Sequence, residues 1–180
     1  MVYLFLAEGF EEVEALTPVD ILRRAGAAVR MVSLDENLYV KGAHGIEVKA
    51  DIKINEIDPA KAKMYILPGG KGGTDNLAAS KEVARLLRDA AERGVFVAAI
   101  CAAPSVLGRM GLLKGKRAAC YPGWEQHLEG AEYSGEPVER DGKYITARGM
   151  GVSLEFSLAL VSALYGDYAA EKIKDSTLAV

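Results

Sequence analysis

Short apolar runs alternate along this chain with longer stretches that repeat at helical spacing. Residues 2–7 are continuously apolar and read as a buried strand. Residues 11–25 follow with Val13, Leu16, Val19, Ile21 and Leu22 at helical intervals and Gly26 as the stop. A second strand is expected over 28–34, and the alternating, glycine-containing stretch 39–49 predicts a hairpin at the margin of the sheet. The run 64–67 predicts a third buried strand, and the glycine-rich segment after it reads as a tight turn. A helix over 81–93 carries Val83, Leu86 and Leu87 on one face and ends at Gly94. The strand 95–100 then runs straight into Cys101 and a short helix. Residues 121–136 are irregular, while 138–141 and 143–147 form a hairpin around Asp141-Gly142, a strong turn pair. The segment 152–165 is apolar nearly all round and predicts a deeply buried helix, with a polar terminal helix behind it.

Such alternation implies one α/β domain over residues 1–180, with a mostly parallel sheet and helices on both faces. Ligands of such sheets bind beyond the carboxyl ends of the strands, at a topological switch point. Three loops should therefore converge: Ala7-Glu-Gly-Phe10, Pro68-Gly-Gly-Lys-Gly-Gly-Thr74 and Ile100-Cys-Ala-Ala-Pro104.

Composition narrows the partners. Half of the 180 residues are hydrophobic, enough for a sizeable core, and the net charge of −3 offers no basic face for nucleic acid. No apolar run approaches the roughly 20 residues of a membrane span. The N-terminal run lacks the basic lead of a signal peptide, so a cytoplasmic protein is expected. Two cysteines make no secreted disulfide framework, and two histidines, His44 and His127, make no zinc spacing. No metal site is expected.

The candidate chemistry centres on Cys101. A cysteine can be a small packing residue, but at a sharp strand-to-helix turn with Ala102, Ala103 and Pro104 beside it, the residue resembles a nucleophile on an elbow. A helix N-terminus there is expected to lower the thiol pKa from about 8.5 into a range of roughly 3.5–7.5. The glycine loop lacks both P-loop and dinucleotide-binding spacing, so its backbone amides are the useful groups. Those of Gly70 and Ala102 can form an oxyanion hole. Glu11, Glu12 and Glu14 suit the first turn of a helix, yet Glu14 falls on the side of the core and cleft, where a carboxyl holds its proton more tightly. His44 and His127 are each either a base for the cysteine or a surface residue. Cys120 reads as a core thiol.

These residues together resemble the ThiJ/PfpI family within the class I glutamine amidotransferase-like fold. The matching text is Ala7-Glu-Gly-Phe-Glu-Glu-Val-Glu14, Leu67-Pro-Gly-Gly-Lys-Gly-Gly-Thr-Asp-Asn-Leu77, Ala98-Ala-Ile-Cys-Ala-Ala-Pro104 and Thr146-Ala-Arg-Gly-Met-Gly-Val-Ser-Leu-Glu-Phe156. The resemblance implies a flavodoxin-like three-layer sandwich and a homodimer. It implies that Cys101 is the reactive residue, that Glu14 hydrogen-bonds it, and that the Gly70 and Ala102 amides lie beside it. Further pocket lining is expected from Gly69, Ala103, His44, Met150 and His127. Met150 stands where relatives commonly carry proline, and Ala102 stands where protease-type members carry histidine.

The leading expectation is a glyoxalase or deglycase acting on methylglyoxal or its early glycation adducts, with an oxidation-sensitive Cys101 and no cofactor. The alternatives are a non-catalytic redox sensor or chaperone and, more weakly, a cysteine hydrolase or protease.

Overall fold

The computed structural model describes residues 1–179. Its centre is a seven-stranded sheet, and the chain runs through it in this order: β1 (Val2–Leu6), α1 (Glu12–Arg24), β2 (Val29–Ser33), a separate ribbon of β3 (Tyr39–Lys41) and β4 (Glu47–Lys49), and β5 (Ile52–Lys53). Then come β6 (Met64–Leu67), α2 (Lys71–Ala79), α3 (Lys81–Arg93), β7 (Phe96–Ile100) and α4 (Pro104–Arg109). The last part comprises β8 (Arg117–Ala118), β9 (Glu132–Tyr133), β10 (Val138–Asp141), β11 (Tyr144–Ala147), α5 (Ser153–Tyr165) and α6 (Asp167–Ser176).

Across the sheet the order is β10-β11-β7-β6-β1-β2-β5, and every neighbouring pair is parallel except the β10–β11 hairpin. β1 lies between β6 and β2, so the chain order reverses at its side, and the loops after β1 and β6 open apart there.

Side chains of a strand alternate between faces, and both faces of this sheet are covered. Leu4, Leu6, Ile66, Ala98 and Ile100 point toward α1, α5 and α6, where Leu22, Phe156 and Leu160 meet them. Tyr3, Phe5, Tyr65, Leu67 and Val97 point the other way, toward Leu77 of α2, Leu86 and Leu87 of α3 and Leu107 of α4. Each large apolar side chain fully buried in these two layers contributes about 1.5–3 kcal/mol of transfer free energy. The strands are apolar throughout because neither face meets water.

Three expectations need correction. The glycine segment is a turn only as far as Gly70; from Lys71 it is helical. Glycine is a poor helix former, but a Cβ on Gly73 would lie 2.8 Å from Phe10 Cα, so close packing of α2 on the β1–α1 loop outweighs propensity. The 39–49 hairpin does not extend the main sheet. It pairs only with itself and docks on the β1–α1 loop through Gly9 N–H to Lys41 O and Ala43 N–H to Phe10 O, both 2.8 Å. Finally, α5 is not buried all round: Phe156, Ser157, Leu160 and Val161 are, but Leu154 and Leu158 are half-covered and Tyr165 is exposed. α1, α6 and the sheet cover only part of its circumference. Among the described residues, no helix is long and apolar enough to cross a membrane.

Candidate functional site

The three loops converge as the topology requires. Glu11 N–H donates to Gly69 O at 3.0 Å and Gly73 N–H to Gly9 O at 3.0 Å, binding the β1 loop to the β6 loop. Cys101 follows β7 immediately. Its N–H donates to Ala147 O at 2.9 Å, and its carbonyl accepts from Tyr121 N–H at 2.8 Å, so both sides of the elbow are held. With φ of 65°, Cys101 occupies the left-handed region that side chains other than glycine avoid, at a cost of about 1–3 kcal/mol. The strain turns the side chain out of the sheet at the head of α4, and the thiol is half-buried.

Glu14 comes to this thiol from the first turn of α1. It is 1 % exposed, and its Oε2 accepts the Gly69 N–H at 2.9 Å. The Cys101 side chain and the Met150 backbone also lie close enough to pull the carboxyl pKa down. Glu14 Oε1 is buried and has no hydrogen-bond partner among the described residues. Gly69 leaves the space for this meeting: a Cβ there would sit 2.5 Å from Glu14 Oε2 and 2.6 Å from Cys101 Cβ. Gly70, at φ of 84°, turns the loop so tightly against Gly9 and Glu11 that a side chain has no room. The backbone amides of Gly70 and Ala102 both reach the Cys101 side chain.

The electrostatics of the pair differ from the sequence expectation. Burial, with a smaller contribution from Glu11, pushes the Glu14 carboxyl up to about 7. Burial and the adjacent Glu14 carboxylate push the Cys101 thiol up to about 12, against the downward pull of the Gly70 and Ala102 amides. A helix as short as α4 brings too little dipole to outweigh a buried carboxylate. Protonating Glu14 removes that repulsion and converts the carboxyl into a donor. The two groups therefore titrate as a pair, and the thiolate is favoured in the state that carries the proton on Glu14.

The other expected residues are placed less closely. Ala103 is completely buried in the layer under α3 and α4, because one step of helical turn past Ala102 rotates it away from the cleft; it does not line the pocket. His44, on the ribbon, is 71 % exposed in its side chain and is bound to Glu12, with Nδ1 2.8 Å from Glu12 Oε2 and its N–H donating to Glu12 Oε1 at 2.7 Å. That hydrogen bond raises the His44 pKa. His127 stacks edge-on against Trp124, and its backbone packs on Gly108, seven residues along the chain from Cys101 and about 10 Å of helical rise away. Neither histidine is among the groups that touch Cys101. Cys120 is fully buried, and burial pushes its thiol up to about 12.

Apart from Met150, sequence reasoning missed the outer wall of the site. Tyr121, Pro122, Arg148 and the 149–152 turn enclose a cleft of about 390 Å³. Met150 belongs to it and contacts Glu14 through its backbone. No local pattern marks Tyr121, which lies in the irregular stretch.

Comparison with known proteins places this geometry. The DJ-1/PfpI family model matches residues 1–163. Protein DJ-1 homolog B of Arabidopsis thaliana is 36% identical over 174 residues, which are 96% of this chain and 40% of that protein. The chain thus spans about two fifths of the length of that relative. A deglycase of Pyrococcus horikoshii is 30% identical over 151 residues, covering 82% of this chain and 90% of the relative. The oxidized structure of Toxoplasma gondii DJ-1 superimposes with a TM-score of 0.94 at 32% identity, covering 98% of this chain and 97% of the other. The flavodoxin-like α/β sandwich, the sequence match and the residues gathered at the elbow agree: this chain belongs to the DJ-1/PfpI family.

Proposed function

We propose that this protein is a cysteine-dependent enzyme acting on α-oxoaldehydes such as methylglyoxal, or on the early adducts these form with amines. The observation that carries the reading is the buried Glu14 carboxyl, raised to about 7 and set against the Cys101 thiol, which is an acid–base group matched to neutral pH. The name of the Pyrococcus relative adds support.

In this scheme Cys101 Sγ adds to the aldehyde carbon, forming a C–S bond, while the Glu14 proton passes to the aldehyde oxygen. The Gly70 and Ala102 amides hold the sulfur before attack and the new oxygen after it. Glu14, now ionised, takes the proton from the former aldehyde carbon and returns it to the neighbouring carbon, so that an enediol collapses to a lactoyl thioester. Water then breaks the C–S bond and releases lactate and the thiol. One carbon is oxidised and its neighbour reduced, so the reaction needs no external electron acceptor. An amine adduct enters the same path once the amine departs and bares the aldehyde carbon.

The test is lactate formation from methylglyoxal by the purified protein beside Cys101→Ser and Glu14→Gln. Turnover lost in both variants is expected; normal rates in either remove the mechanism.

A second reading, redox sensing, is favoured by the donors around the sulfur. The Gly70 and Ala102 amides and a protonated Glu14 suit the oxygens of a sulfinate. Peroxide supplies them: the thiolate attacks one oxygen and the O–O bond breaks, first to sulfenate and with a second peroxide to sulfinate. Intact mass after mild peroxide separates the readings. Two oxygens gained at Cys101 without lactate turnover favours the sensor, and no selective gain rules it out. A hydrolase is the weakest reading, because neither histidine reaches the cysteine.

We also read the exposed Val13, Leu16 and Ile46 as part of a homodimer face in a cytoplasmic protein. A monomer mass by light scattering at micromolar concentration removes the dimer.

A further inference from the structure

The cleft beside Cys101 has a chemistry of its own. Its wall is formed by Tyr121, Pro122, Arg148, Gly149, Met150 and their neighbours, and Arg148 is the one charged side chain among them. Arg148 is exposed, and among the described residues its guanidinium has no carboxylate partner. Arg23, Arg24, Arg85, Arg93 and Arg117 each pair with an aspartate or glutamate, whereas Arg30, Arg88, Arg109 and Arg140 share the lack of an ion pair among the described residues; Arg148 differs from those four in lining the cleft next to the elbow.

Two connections join this wall to the reactive pair. Tyr121 N–H donates to the Cys101 carbonyl, and the Met150 backbone reaches the Glu14 carboxyl, so Arg148 is two residues from a group that touches Glu14. Arg148 also follows Ala147, whose carbonyl holds the Cys101 N–H. Cys101 itself does not line this cleft of about 390 Å³, but Tyr121 does and is hydrogen-bonded to the Cys101 carbonyl, so the cleft adjoins the elbow. It is space for a longer chain ending near a lone positive charge.

We propose that Arg148 forms a carboxylate subsite, and that the favoured substrates are α-oxoaldehydes, or their adducts, bearing a carboxylate a few bonds from the reacting carbon. A planar guanidinium fits a carboxylate with two parallel hydrogen bonds, and one cation balances its single charge. A phosphate, with about twice the charge, calls for more donors than this wall presents. Arg148 acts on affinity and orientation and takes no part in bond making. The substrate half of this proposal rests on the aldehyde reading above; the subsite itself does not.

The test has two arms on the full chain. In the first, Cys101 is alkylated by iodoacetate and by iodoacetamide, and the ratio of the two rates is taken. Because Glu14 repels iodoacetate equally in every variant, the change in ratio reports Arg148. We expect Arg148→Gln to lower the ratio about ten-fold and Arg148→Lys to keep most of it. A ratio unchanged in Arg148→Gln overturns the subsite. In the second arm, 4,5-dioxopentanoate is compared with neutral 2-oxopentanal as substrate. The wild-type preference in kcat/KM for the carboxylate is expected to be about ten-fold and to shrink toward one in Arg148→Gln. An Arg148-dependent alkylation ratio without turnover of either aldehyde retains the subsite and overturns the aldehyde reading alone. Turnover of both at equal kcat/KM overturns the substrate class.

Discussion

Glu12 and Glu14 stand two residues apart in the first turn of α1, and both are almost fully buried, at 4 % and 1 % exposure. Two residues of helix turn through about 200°, so they face nearly opposite sides. Glu12 meets the ribbon, where burial would raise its carboxyl but the hydrogen bonds from His44 outweigh it and hold it below the usual range. Glu14 meets the Gly69 amide and the Cys101 thiol, neither of which brings a cation, and its carboxyl rises to about 7. Both are covered, but Glu12 lies just beneath the surface ribbon and its exposed His44 whereas Glu14 lies deep beside the elbow. Depth and partner together decide whether a covered carboxylate is a fixed charge or a proton carrier.

Loss of function breaks this comparison most sharply. Glu14→Gln keeps the shape and removes the titration, and methylglyoxal turnover should fall by about 10²–10⁴-fold, the usual worth of a general acid–base group. Glu12→Gln should leave lactate formation within about three-fold of wild type, since Glu12 touches neither sulfur nor the cleft. Equal losses in the two variants would mean that α1 acts as a structural unit and that Glu14 has no private role.

The pH dependence of stability sharpens it next. The folded pKa of Glu14, about 7, lies above the ordinary carboxyl value of 4.5. The folded state therefore holds the proton more tightly. Its stabilising contribution is complete below pH 4.5 and is lost as pH rises through 7. Against Glu14→Gln, wild type should lose up to about 3 kcal/mol of unfolding free energy between pH 4.5 and pH 8, measured by urea denaturation at each pH. Glu12 carries the opposite sign: its contribution is present above 4.5 and is lost as pH falls through its depressed folded value. A Glu14 profile parallel to that of Glu12→Gln contradicts the assignment.

Gly69 tests the packing that holds the pair together. Gly69→Ala drives a methyl between Glu14 Oε2 and Cys101 Cβ, and overpacking of this kind costs about 1–3 kcal/mol. The expected result is a lower urea midpoint, together with a Cys101 alkylation rate that no longer responds to Glu14→Gln. Unchanged coupling in the double variant would show that the pair tolerates separation.

The elbow was legible because its ingredients are local: an apolar strand, a cysteine and the smallest residues behind it. Convergence of the loops was legible from strand alternation alone. The two faces of β1 were not, since Tyr3 and Phe5 point one way and Leu4 and Leu6 the other within a run that is apolar throughout. α2 was hidden by glycines whose helix depends on Phe10, far away in sequence. The direction of the thiol shift was misjudged for a similar reason. The helix end is visible in sequence, but the burial that outweighs it, and the carboxylate from α1 that adds to it, are set by the fold. His127 was a reasonable base by residue type, and only its anchorage on Trp124 and Gly108 removes it. Side chains carry chemistry legibly, whereas distances between elements remain the property of the fold.

The smallest expected effect belongs to His44, which supplies the contrast on the Glu12 side. His44 is raised by its hydrogen bond to Glu12, so its contribution to stability is full below 6.5 and fades as pH passes its folded value. Because the ring faces solvent, water and salt screen much of that gain. His44→Gln should therefore produce a slight drop in urea midpoint at pH 6, a smaller one at pH 8, and a drop that shrinks further in high salt. Glu12, relieved of its cation, should then rise toward the behaviour of Glu14, which NMR titration of its side-chain carboxyl carbon can follow. If Glu12 keeps its depressed value in His44→Gln, the backbone N–H of residue 44 is the group that holds it, and the contrast between the two carboxylates is set by main chain on both sides.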